Sequence, residues 1–135
     1  MYALILAAAV AAVGGGQIEQ PGGCNAYPSI AVEQFTVTTQ GGERLDPEHA
    51  VLTVVVPLLT PDFTASILGG GLRWESKAVK PAGGVSQGLA ADEERRAVAL
   101  PPLRAGTRYD VALTYTNPPF GCQPHQQYIG SFTTP

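Results

Sequence analysis

The residues in this chain that could do chemistry are few and scattered. Two histidines, His49 and His125, lie far apart in the sequence. His49 follows "LDPE" and reads as a solvated turn residue. His125 sits in "NPPFGCQPHQQY" beside Cys122 and Gln126, and one imidazole among glutamines is a poor metal ligand set. The run Asp92-Glu93-Glu94 offers neighbouring carboxylates, but adjacent residues on a tight turn point apart, which does not make a cleft acid/base pair. It offers glycoside hydrolysis nothing better. Ser29, Ser66, Ser76, Ser86 and Ser131 have no Gly-x-Ser-x-Gly surroundings. "GGG" at Gly69, Gly70 and Gly71 lacks the lysine and helix of a phosphate loop, and reads as a turn or strand entry. No catalytic constellation, metal site or cofactor follows, and the expectation is a protein that is not an enzyme.

Neither Cys24 nor Cys122 has the set of further Cys or His partners that would complete a zinc knuckle or redox pair. In an exported chain the default for such a pair is one disulfide. Export is suggested by "MYALILAAAVAAV", thirteen residues without a charge, followed by "GGG". That span is short for a membrane crossing and suits the apolar region of a signal peptide. No Lys or Arg precedes it, so residues 1–16 read as a signal peptide or, uncleaved, as a membrane or assembly anchor. A lipid-bearing Cys24 is a lesser alternative, because "QPGG" is not a lipobox. Residues 17–23 form a Gly-rich linker, and the domain occupies 24–135.

Composition excludes other classes of partner. The net charge is −3 and no basic run exceeds Arg95-Arg96, so nothing follows a nucleic-acid backbone or anchors to anionic lipid. Charged residues are 14%, below the quarter or so that is usual, with 12 Pro and 16 Gly and no helical periodicity. Short elements between turn residues read as an all-β sandwich or barrel.

The elements that must position everything else are strands, read from alternation and β-branched content at 30–39, 50–57, 72–79, 96–100, 107–116 and 128–134. A seventh is placed near 85–89. "AVLTVVVP" is apolar throughout and reads as a central strand. In "LRWESKAV", Leu72, Trp74 and Ala78 share one face and Arg73, Glu75 and Lys77 the other, which places Trp74 in the core. "LAADEERRAVAL" reads as an acidic turn feeding a strand from Arg96. In "LPPLRAGTRYDVALTYTN", Gly106 permits a turn, Leu103 plugs the core beneath it, and Tyr109, Val111, Leu113 and Tyr115 share a face. A tyrosine at the mouth of a penultimate strand can turn its hydroxyl back onto the crossing backbone, so Tyr109 reads as a structural corner.

"VSQGLAADEERRAVALPPLRAGTRYDVALTYTN" together with the closing "GSFTTP" resembles bacterial Ig-like domains of the S-layer and surface-protein kind, and is similar to fibronectin type III domains. The likeness covers about the last fifty residues, best at 103–109 and 130–134. It implies an Ig-like Greek-key β-sandwich of about seven strands preceded by the apolar segment. In such sandwiches the start of the domain and the loop before the last strand share a pole, which makes a Cys24–Cys122 bridge reasonable. Closing a loop of about 100 residues would stabilise by roughly 4–5 kcal/mol. The expected function is structural or adhesive, at a cell envelope or virion surface, through protein contacts that include self-assembly. The alternative is a secreted or periplasmic module that recognises a small ligand or carbohydrate through the 117–128 loop, with Phe120, His125 and Tyr128. Either way the chain is exported, and it meets a membrane only through residues 1–16.

Overall fold

A computed structural model describes residues 29–39, 44–82, 88–117 and 126–135. These form eight strands and no helix. In chain order they are β1 (Gln34–Thr39), β2 (Ala50–Pro57), β3 (Phe63–Gly69), β4 (Leu72–Ala78), β5 (Lys80–Pro81), β6 (Glu93–Ala99), β7 (Arg108–Tyr115) and β8 (Gln127–Thr133). They pair antiparallel into two four-stranded sheets, ordered β1-β2-β6-β5 and β4-β3-β7-β8. The architecture is an all-β sandwich. The chain changes sheets three times, after β2, after β4 and after β6.

The core is the layer between the inner faces. β2 supplies Leu52, Val54 and Val56, β3 supplies Phe63, Ala65 and Ile67, and β7 supplies Tyr109, Val111 and Leu113, all essentially inaccessible to water. Each set is spaced by two because successive strand side chains point to opposite faces. β2, β3 and β7 are interior strands, and they carry all but Val79 of the largest fully buried side chains. Val79, Leu100 and Leu103 close the layer from the connections.

Four expectations need correction. There are eight strands among the described residues, not about seven. β3 is not among the expected strands, although Phe63, Ala65 and Ile67 alternate within it. It forms a hairpin with β4 over Gly70-Gly71, whose φ of 55° and 83° suit a two-residue connection that matches sheet twist. β6 begins at Glu93 rather than Arg96, because Pro57 and Val56 of β2 pair with Glu93 and Glu94. Trp74 is only half-buried: β4 is an edge strand with one neighbour, so the indole packs against the core without entering it. The alternation around it holds, with Arg73, Glu75 and Lys77 exposed. The strand placed near 85–89 falls mostly outside the described residues; Gly88 and Leu89 are not strand.

Candidate interaction surface

The antiparallel registers gather the connections at two poles. At one, the start of β1, the end of β2, the start of β3, the start of β6, the end of β7 and the start of β8 come together. At the other lie the β3–β4 hairpin, the approach to β2 and the crossing from β6 to β7.

The second pole holds the predicted corner. Leu103 is buried, Gly106 lies exposed with φ 60°, and Tyr109 is the second residue of β7 with its ring 1% exposed. The Tyr109 hydroxyl accepts a hydrogen bond of 2.8 Å from the Arg104 N–H, and its ring stacks on Phe132 with centroids 5.6 Å apart. Thr134 completes the crossing. Its hydroxyl donates to the Arg104 carbonyl at 2.5 Å and accepts from the Thr107 N–H at 2.9 Å. The Leu103 N–H donates to Pro47 and the Gly106 N–H to Pro135. Nearby, the exposed His49 Nδ1 lies 2.9 Å from Asp46 Oδ2. The hydrogen bond with the carboxylate holds the His49 pKa above its ordinary value, and the same bond draws that of Asp46 down.

The first pole is built differently. Residues 58–62 carry the chain from β2 to β3 between Pro57 and Pro61, and an apolar pair in so short a turn has no core to reach. Leu58 is 47% exposed and Leu59 94%. Leu59 also has φ 69°, a left-handed conformation costing an ordinary residue about 1–2 kcal/mol. The turn is held by Leu58 N–H to the Asp92 carbonyl at 2.8 Å and by the Thr60 hydroxyl to the Pro57 carbonyl at 2.6 Å.

Arg96 pins the same turn from inside. It shares the core-facing side of β6 with Val98 and Glu94, opposite Val54, and its side chain is 6% exposed. Nη2 donates to the Thr60 carbonyl at 2.5 Å and Nη1 to the Pro61 carbonyl at 3.3 Å. The guanidinium pairs with Glu94 at 2.7 Å and lies 5.2 Å from the centroid of Phe63. One cation on the first sheet thus bonds the crossing and faces an aromatic ring of the second. Sequence reasoning missed Arg96, although its two-residue spacing from Val98 and Leu100 puts it on the inner face.

The entry of the chain is also fixed at this pole. The Gln127 side-chain amide accepts from the Ile30 N–H and donates to the Ile30 carbonyl, both at 2.8 Å. Tyr128, the next residue, is 46% exposed on the outer face of its sheet, in one row with Ala112, Ser66 and Glu75. The neighbouring Gln126 amide donates to the Ser66 hydroxyl at 3.1 Å.

Tyr128 is the one residue of the predicted loop set within the described residues; Phe120 and His125 lie outside them, as do Cys24, Cys122 and residues 1–23. Among the described residues no three His, Cys, Asp or Glu side chains are grouped to hold a metal. The carboxylates at 92–94 do not converge: Glu93 accepts from the Ala90 N–H, and Glu94 is paired with Arg96. The Ser76 hydroxyl is engaged in a bulge, accepting from the Ala65 N–H and donating to the Lys77 carbonyl.

No family model, no curated protein and no solved structure matches the chain.

Proposed function

We propose that this is a non-enzymatic Ig-like domain of a cell envelope or virion surface, exported or held there by residues 1–16, that works through protein contacts. The carrying observation is the Leu58–Leu59 pair. Two leucines face solvent on a turn that is clamped from below by Arg96 and kept in a costly left-handed conformation. A rigid, exposed apolar pair is a suitable anchor for a partner surface, since little conformational freedom is lost on binding.

Two features support the Ig-like reading. The strand order β1-β2-β6-β5 over β4-β3-β7-β8 corresponds to strands A-B-E-D facing C′-C-F-G. The tyrosine hydroxyl bonded five residues upstream is the corner expected at the start of strand F. A Cys24–Cys122 disulfide belongs to the same proposal. The strap between Ile30 and Gln127 brings together two chain positions from which the cysteines are six and five residues away. Mass measurement of native protein before and after reduction checks it: two thiols should appear only on reduction.

The functional test is Leu58→Asp/Leu59→Asp in the full chain. Crosslinking in native envelopes or particles should yield a partner with the wild type and lose it with the double variant. Equal crosslinking by both would overturn the assignment of this turn. The second reading, a module for a small ligand or carbohydrate, is favoured by Tyr128 exposed beside the Gln126–Ser66 pair. Phe120→Ala/Tyr128→Ala should then abolish ligand binding with the fold intact, and unchanged binding removes that reading.

A further inference from the structure

Each sheet has two edges, and three of the four carry a device that discourages further pairing. β4 presents Arg73, Glu75 and Lys77 to solvent and is bulged opposite Thr64–Ser66. β5 is two residues long and ends in Pro81. β8 is bulged where Gly130 pairs Val111 and Tyr128 pairs Ala112, leaving Ile129 without an opposite residue. β1 has none of these. Its six residues, Gln34-Phe35-Thr36-Val37-Thr38-Thr39, hold no charge and no proline, and they pair β2 in unbroken register. Among the described residues nothing pairs on its other side.

Resting on the reading of a domain that works through protein contacts, we propose that β1 is the edge at which a second copy of this chain adds, β1 to β1, antiparallel about a two-fold axis. The occupant follows from what a strand must offer to face itself. With the axis at Thr36, Phe35 faces Val37 of the second copy, Gln34 faces Thr38, and Thr36 faces Thr36. Aromatic-to-β-branched and threonine-to-threonine pairs of this kind stabilise adjoining strands. Glu33, the nearest charge, faces Thr39, so no carboxylate meets a carboxylate. Two first sheets then join into one of eight strands, and the interface is isologous.

The test is sedimentation equilibrium on the full chain and two double variants. Gln34→Lys/Thr38→Lys sets introduced lysines opposite one another twice; Gln34→Lys/Thr38→Glu sets lysine opposite glutamate twice. Gln34 is exposed and Thr38 lies on the same outward side, so both variants keep the core, which circular dichroism checks. The first variant should raise the dimer dissociation constant about tenfold, and the second should leave it unchanged or lower it. Overall charge predicts the reverse. The first variant brings the net charge from −3 to −1 and would relieve general repulsion, whereas the second leaves it at −3. A wild type that stays monomeric, or two variants that associate alike, overturns the proposal. If the wild type associates and both variants match it, the edge is excluded while the protein-contact reading stands. Loss of crosslinking in Leu58→Asp/Leu59→Asp bears on that reading alone.

Discussion

The two poles of the sandwich solve the same problem with different chemistry. Each must carry the chain from one sheet to the other without leaving backbone groups unpaired in a dry interior. The corner pole uses neutral groups: Tyr109 bonds Arg104 five residues away, and Thr134 bonds Arg104 and Thr107 across 30 and 27 residues. The loop pole uses one buried cation, Arg96, that reaches Thr60 and Pro61 across more than thirty residues of sequence. Bonds divided between the Tyr109 and Thr134 hydroxyls make the corner tolerant of losing one. At the loop pole a single guanidinium supplies both bonds to the Thr60 and Pro61 carbonyls, so those two bonds are lost together. It is also the pole where leucines are left facing water.

Removing that cation should therefore have the largest effect. Arg96→Leu fills the space with apolar atoms but leaves Glu94 facing inward without its partner. Breaking a buried pair typically costs about 3–5 kcal/mol. Glu94 is 24% exposed and turns partly to solvent, so the lower end, about 3 kcal/mol, is expected in denaturant unfolding. A loss under about 1 kcal/mol would mean the turn holds without the clamp.

Tyr109→Phe comes next. The ring and its stacking on Phe132 stay, and only the hydroxyl bonded to Arg104 is lost. Unfolding should become easier by about 1–2 kcal/mol, the range for a missing partner at a structured backbone donor. If Tyr109→Phe costs more than Arg96→Leu, the ranking of the poles is reversed.

A third substitution should act the other way. Leu59→Gly removes a left-handed leucine that touches water on nearly all its surface, so the gain in the folded state is up to about 1 kcal/mol. Glycine's looser unfolded chain offsets part of that. Unchanged or higher stability, with lost partner crosslinking, is the expected pair of results; lower stability would mean Leu59 packs against something.

The smallest effect is a titration. The bond to Asp46 raises the His49 pKa, so the stability it lends is complete below about pH 6.5 and fades as pH rises through the raised value. The lowered Asp46 contributes above pH 3.8 and fades as pH falls through its own depressed value. Both groups are solvent-exposed, so the pair is read by NMR rather than by unfolding. Asp46→Asn should return His49 to the ordinary imidazole range; an unmoved titration would show that the contact does not persist in solution.

Much of the fold was legible because its signals are local. The alternation from Leu72 to Ala78 and the spacing from Leu103 through Gly106 to Tyr109 each fit inside one strand and its turn. β3 gives a weak signal because Ala65 and Ser66 are small and the run Gly69-Gly70-Gly71 closes it, a composition shared with loose segments. Here the glycines close a hairpin. Arg96 could not be placed by composition, since arginine is rarely buried. What buries it are Thr60, Pro61 and Phe63, brought near only by the sandwich. Gln127 gave no signal at all, because an amide that binds both polar groups of Ile30 looks like any other glutamine in a loop. The exposed leucines could have been seen, as an apolar pair between two prolines with no room to turn inward. Of the proposed loop, Tyr128 is placed and the rest of the set is not among the described residues.

The strap from Gln127 to Ile30 also has a mechanical consequence. The chain enters the sandwich at the loop pole, and β8 ends at the corner pole, so tension applied between Ile30 and Thr134 runs along the strands. Hydrogen bonds loaded in that direction share the force and must fail together, whereas bonds pulled from one end open in turn. The strap adds two bonds where the load arrives. A domain tethered through its leading segment would thus resist stretching by shear, and Gln127→Ala in a single-molecule pulling experiment should lower the rupture force without moving the corner; an unchanged force would show that the load enters elsewhere.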